Sequence, residues 1–246
     1  MKVEQKFRVC AQNVDKFNKI KISAIMNYFQ ELATLHSDSA KDGIYYMDKN
    51  NGAWVVINWR MKMYSSLKWN EEFTVTTWSR KFEKIYAYRD YKMCNQKGEL
   101  VAIASSRWIY FDFKTNSIKN PPMDVIERYQ SEDVMIFGTD DFKKLKEHEN
   151  QELIYTYAIQ KKDIDWNNHV NNVVYVDMIQ EVLDENARIE EIEILYKKEC
   201  KYGANVNVYC AKVSDKEMFF SLKDKETGTL HVVAHVTLDL YQERIN

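Results

Sequence analysis

A chain of 246 residues with 45% hydrophobic and 13% aromatic side chains can fill one large core or two small ones. A net charge of −2 and no basic stripe speak against a nucleic-acid binder. Four cysteines without CxxC or zinc spacing exclude a disulfide scaffold, and no run approaches the roughly 18 apolar residues of a membrane span.

The opening stretch, MKVEQKFRVCAQNVDKF, has no apolar h-region, so a cytoplasmic protein without a signal peptide is expected. An amphipathic helix follows at about Ser23 to Lys41, with Ile22, Met26, Phe29 and Leu32 at helical spacing. The pattern then changes to period two, the mark of strands, in AWVVINWRMKMY, EEFTVTTWSRKF, IYAYRDYKM and LVAIASSRWIYFDF. The only prolines, Pro121 and Pro122, punctuate a charged segment that is expected to hold a short helix after Pro122. The stretch DIDWNNHVNN, Asp163 to Asn172, comes next and leads into a second helix at about Val173 to Ala187, capped by Asn171 or Asn172. Four more alternating runs close the chain: IEEIEILYKKEC, ANVNVYCAKV, MFFSLKDK and LHVVAHVTLDLY.

The chain therefore repeats itself. Shifted by about 150 residues, Asp15 falls on Asp165, Asn18 on Asn168, Gln30 on Gln180 and Glu31 on Glu181. Further along, Trp69 matches Tyr202 and Gly98 matches Gly228. Each half reads strand, helix, four strands, which predicts an α+β architecture with a long helix wrapped by an antiparallel sheet. The expected division is 1–118, a linker at 119–150, and 151–246.

A duplicated unit supplies its own comparison: shared residues point to structure, unshared ones to a special task. Phe17 stands where the second copy has Asn167, Lys19 where it has His169, Ser66 where it has Glu199 and Leu67 where it has Cys200. The second copy alone thus holds a polar set able to move a proton or attack an acyl carbon. If the loop is extended, Asp165, Asn167 and His169 share one side. A calcium loop is rejected, because Asn168 and Val174 occupy the positions that require Gly and Glu. His231 and His235, about 13 Å apart on one strand, cannot share a metal ion and read as same-face strand residues.

The segment DIDWNNHVNNVVYVDMIQE resembles the signature of the acyl-acyl-carrier-protein thioesterases of plants and bacteria, Asp-x-Asn-x-His-Val-Asn-Asn followed by Tyr and a helical Glu. YKKEC resembles that family's second motif. The signature positions show no departure, and Trp166 falls on a variable one. The resemblance covers essentially the whole chain and implies two tandem hotdog domains. It further implies that the second domain is catalytic and that the first lends the acyl-chain pocket without a catalytic set. The implied activity is hydrolysis of fatty acyl thioesters of acyl-carrier protein in fatty acid biosynthesis, with no cofactor and no metal. The implied catalytic set is Asp165, Asn167, His169 and Glu199, with Cys200 as an alternative nucleophile. Strand parity points Cys200 inward, and a bulge near Lys198 would reverse it. Lysines 161, 162, 197, 198 and 201 could steer an acidic carrier protein, or be solvated surface charge. A homodimer is left open; no membrane or nucleic-acid partner is expected. The competing readings are acyl-CoA thioesterase, hotdog dehydratase of 3-hydroxyacyl thioesters, and non-catalytic acyl-ligand sensor.

Overall fold

The computed structural model describes residues 1–46, 52–112, 114–138 and 142–239. The chain divides into two compact units, Met1–Asp141 and Phe142–Asn246. No described helix is long and apolar enough to cross a membrane.

In the first unit, β1 (Lys2–Arg8) leads through a loop to α1 (Ile22–Ser39). Four long strands follow: β2 (Gly52–Met63), β3 (Glu72–Glu83), β4 (Tyr86–Asn95) and β5 (Leu100–Asp112). They pair antiparallel in the spatial order β1-β3-β4-β5-β2, and the short β6 (Ser117–Lys119) folds back on the end of β5. The second unit repeats this plan. It contains β7 (Glu152–Ala158), then a helix numbered α3 (Asn172–Gln180), since α2 (Met123–Arg128) is the expected short helix after Pro122. The strands β8 (Arg188–Tyr196), β9 (Asn205–Lys212), β10 (Glu217–Asp224) and β11 (Leu230–Asp239) complete it. Their order, β7-β9-β10-β11-β8, is that of the first unit strand for strand. The expected strand ends at Phe113 and Leu240–Tyr241 lie outside the described residues.

Burial alternates along β9, whereas β3, β4, β5 and β11 are buried on both faces over five or six consecutive residues. In the first unit Phe29 of α1 meets Trp59 of β2 and Tyr91 of β4, with ring centroids 6.5 and 5.1 Å away. All three are almost fully buried, and each such ring removes enough apolar surface from water to stabilise the fold by about 1.5–3 kcal/mol. Gly98 and Gly228 sit at φ +79° and +69° in matching turns before the last strand. An added Cβ would meet nothing within 4 Å at either, so the left-handed backbone and not crowding is what favours glycine.

Two expected boundaries shift. The second helix ends at Gln180 and not near Ala187. The N–H groups of Val182 and Leu183 turn back to the carbonyls of Ile179 and Gln180, and the turn-favouring Asp184-Glu185-Asn186 follows. The strand expected to run through YKKEC ends at Tyr196, with the Lys197 N–H still bonded to the His231 carbonyl at 2.8 Å.

The first unit also buries a polar pair. His36 of α1 is fully buried, and its Nδ1 accepts from Arg89 Nη1 at 2.8 Å. Burial, and then the adjacent guanidinium, push the imidazole down to about 3. The ring is therefore neutral in the fold but protonated in the unfolded chain below its ordinary value near 6.5, so acid favours unfolding. Urea midpoints should fall as pH drops from 6.5 toward 4.5, by up to roughly 1.4 kcal/mol per pH unit from this group. His36→Gln should flatten that slope; an unchanged slope would show that His36 does not titrate in this way.

Candidate active site

The loop between β7 and α3 is built by its own backbone. The Asp165 N–H bonds the His169 carbonyl at 2.8 Å, and the Asn168 N–H bonds the Asp165 carbonyl at 3.0 Å. Asp165 Oδ1 then accepts from the N–H of Asn167 at 2.9 Å and of His169 at 3.3 Å. This is an Asx-type turn and not an extended segment, so the same-side placement expected from alternation does not hold. Asn168 takes φ +63°, which asparagine tolerates better than most residues. Asn171 caps α3, its Oδ1 accepting from the Val173 N–H at 3.1 Å.

The first unit makes the same loop. Asp15 Oδ1 accepts from the N–H of Phe17 and Lys19 at 2.8 and 2.9 Å, and Asn18 sits at φ +59°. The residues shared by the two copies are thus those that fold the turn. The two copies differ in what the turn displays.

In the second unit His169 Nε2 lies 3.0 Å from Glu199 Oε2. Glu199 Oε1 is 3.7 Å from Lys201 Nζ. The pair is held from the backbone, because the Val170 N–H bonds the Cys200 carbonyl at 2.9 Å. That bond ties the residue after His169 to the residue after Glu199, which sets the two side chains opposite each other. The first unit has the matching bond, Ile20 N–H to the Leu67 carbonyl at 2.8 Å, and there Lys19 and Ser66 stand in the two positions.

The structure therefore brings His169 and Glu199 together. Asp165 turns its carboxylate into the loop backbone, and Asn167 is exposed. Cys200 points the other way and is buried at 3% exposure, whereas the Glu199 side chain is 51% exposed. Burial pushes the Cys200 thiol up from its ordinary value, away from the thiolate that a nucleophile needs. Neither strand parity nor a bulge decides this, because the strand has ended at Tyr196: Lys197, Lys198 and Glu199 are all exposed and Cys200 alone turns in. Nearby, the Tyr196 hydroxyl donates to the Asn172 carbonyl at 3.1 Å and the Tyr155 hydroxyl to the Met178 carbonyl at 2.6 Å, which fasten both ends of α3 to the sheet. No cluster of side chains suited to a metal ion occurs among the described residues.

Sequence reasoning passed over His231. Its Nδ1 lies 2.9 Å from the carbonyl of Lys198, the residue before Glu199. Residues 198 and 231 belong to different strand ends, and periodicity along one strand carries no sign of such a contact. His235 instead meets Glu217 at 2.7 Å and stacks on Phe219.

A helix laid on an antiparallel sheet occurs twice over, and one copy brings an imidazole and a carboxylate together, groups of the kind that move protons. Residues 1–129 match the model of the acyl-ACP thioesterase N-terminal domain, and residues 146–240 that of the C-terminal domain. The chain belongs to the acyl-ACP thioesterase family. It is similar to oleoyl-acyl carrier protein thioesterase 2, chloroplastic, of Arabidopsis thaliana, 26% identical over 92% of this chain and 66% of the relative. It is also similar to a chloroplastic palmitoyl-acyl carrier protein thioesterase of Cuphea hookeriana, 29% identical over 80% of this chain and 51% of the relative. The chain thus spans between half and two thirds of the length of these relatives. Its fold matches a crystal structure of an acyl-ACP thioesterase from Bacteroides thetaiotaomicron, with a TM-score of 0.88, 20% identity and coverage of 97% of this chain and 98% of that one. It also matches the 12:0-ACP thioesterase from Umbellularia californica, with a TM-score of 0.81, 19% identity and 97% of both chains covered.

Proposed function

We propose that this protein hydrolyses the thioester between a fatty acyl group and the phosphopantetheine arm of acyl-carrier protein, releasing free fatty acid. The observation that carries this reading is the His169–Glu199 pair at 3.0 Å, present in one copy of a duplicated fold and replaced by Lys19 and Ser66 in the other. We read each unit as a hotdog domain, with the chemistry assigned to 151–246.

The steps follow from the groups. Water attacks the thioester carbonyl carbon while its proton passes to the Glu199 carboxylate, oriented by the His169 N–H. The Asn167 carboxamide donates to the oxyanion as it forms. Collapse breaks the C–S bond, and the proton held by the pair goes to the leaving thiolate. Asp165 acts through the backbone: its two bonds to the N–H groups of Asn167 and His169 hold these residues in place. Asp15 holds the turn of the first unit in the same way, without a reacting group. Exposed lysines flanking the site, Lys161, Lys162, Lys198 and Lys201, suit an acidic carrier protein and would speed its encounter.

Purified protein incubated with acyl-carrier proteins loaded with different chains should yield free acid and free carrier thiol, and should turn over the matching acyl-CoA esters more slowly. Enoyl product from 3-hydroxyacyl substrates would replace this reading with a dehydratase, and binding without turnover would replace it with a sensor.

A further inference from the structure

The internal comparison that isolates His169 and Glu199 isolates one more residue. In the second unit the Lys197 N–H bonds the His231 carbonyl at 2.8 Å, and in the first the Tyr64 N–H bonds the Val101 carbonyl at 2.9 Å. Strand register agrees, since Val232 opposes Tyr196 as Ala102 opposes Met63. His231 is therefore the counterpart of Val101, and both are buried, at 4% and 0% exposure. The inactive copy shows that valine fills this place.

The imidazole has a specific use. A carbonyl only accepts, so His231 Nδ1 carries a proton and donates it to the Lys198 carbonyl, 2.9 Å away. Its Nε2 is buried without a partner among the described residues. A buried polar atom left in this way carries a desolvation cost that the valine of the first copy avoids. Glu199 lies between two fastened carbonyls, Lys198 held by His231 and Cys200 held by the Val170 N–H. The segment carrying Glu199 is past the end of β8, where no strand ladder would hold it.

Resting on the thioesterase reading above, we propose that His231 is a positioning residue of this reaction, its Nδ1–H clamping the Lys198 carbonyl so that the Glu199 carboxylate stands opposite His169.

The test uses the full chain with acyl-carrier-protein substrate. His231→Val, which copies the first unit, should lower kcat by about 10–100-fold with KM within about twofold, as expected when a reacting group is misplaced and substrate binding is not. His231→Asn places a donor near Nδ1 and should recover kcat to within about threefold, whereas His231→Gln displaces the donor and should not. In a Glu199→Ala background, His231→Val should cost almost nothing further, because the group it positions is gone. A wild-type kcat in His231→Val, equal losses in Asn and Gln, or the same loss with and without Glu199 would overturn the proposal. Should His231→Val fail to fold, the Asn–Gln difference and its disappearance in the Glu199→Ala background decide the matter alone. The thioesterase reading fails separately, if the wild-type protein releases no free acid from acyl-carrier-protein substrate.

Discussion

His169→Ala is expected to lower kcat by roughly 10²–10⁴-fold, about 3–5.5 kcal/mol of transition-state stabilisation, the usual weight of a positioned acid–base group. Lys19→Ala, at the same place in the first unit, is expected to leave kcat within about twofold. The two substitutions are made in loops with the same hydrogen bonds, one around Asp15 and one around Asp165, so their structural costs should be similar. The difference between them isolates what the imidazole does. Steady-state kinetics with acyl-carrier-protein substrate, beside thermal midpoints for both variants, make the comparison. Equal losses in kcat from both, with folding preserved, would mean that the reaction does not reside in the second copy alone.

Glu199→Ala should nearly abolish turnover, while Cys200→Ser and Cys200→Ala should retain most of it. The two residues are neighbours in sequence, yet their environments oppose each other. Glu199 faces His169 at 3.0 Å from a half-exposed position. Cys200 is buried, its thiol is pushed up by that burial, and its Sγ lies 3.8 Å from the Lys201 carbonyl and beside the Tyr175 hydroxyl. Iodoacetamide should accordingly inhibit weakly at most. An inactive but folded Cys200→Ser together with an active Glu199→Ala would establish the cysteine as the nucleophile instead.

Much of the plan was legible in the residues, and the misses share a cause. Runs of β-branched and aromatic residues with period-two stretches marked the eight long strands, even though β3, β4, β5 and β11 are buried on both faces over part of their length. The matched Asp15/Asp165, Asn18/Asn168 and Gly98/Gly228 marked the repeat because a turn with a left-handed residue tolerates few side chains. Comparing the copies narrowed the companion of His169 to Glu199 or Cys200, where the first copy has Ser66 and Leu67; it was the family resemblance, not the comparison, that favoured Glu199. Three readings along the chain did not survive. A shared side for Asp165, Asn167 and His169 required an extended segment, and the loop is instead folded by its own carboxylate. The second helix was read seven residues too far, from Gln180 to Ala187, because Val182 continues the apolar spacing after the backbone has tightened into a turn. The strand at YKKEC was read past Tyr196, because the apolar alternation up to Tyr196 gave no sign that the chain bends at Lys198. Each is a place where backbone hydrogen bonds, invisible to periodicity, decide the outcome. His231 is the same lesson at longer range. Its partner lies 33 residues away in sequence, and only the antiparallel register of β8 with β11 brings the two together.

The most direct test of the account is a single turnover of acyl-carrier-protein substrate in ¹⁸O-labelled water, with mass analysis of the released acid and of the intact protein. The account predicts free fatty acid that has gained ¹⁸O, free carrier thiol, and no acyl group on Cys200. Unlabelled acid, an enoyl product, or an acyl adduct on Cys200 that forms and decays with turnover would contradict it.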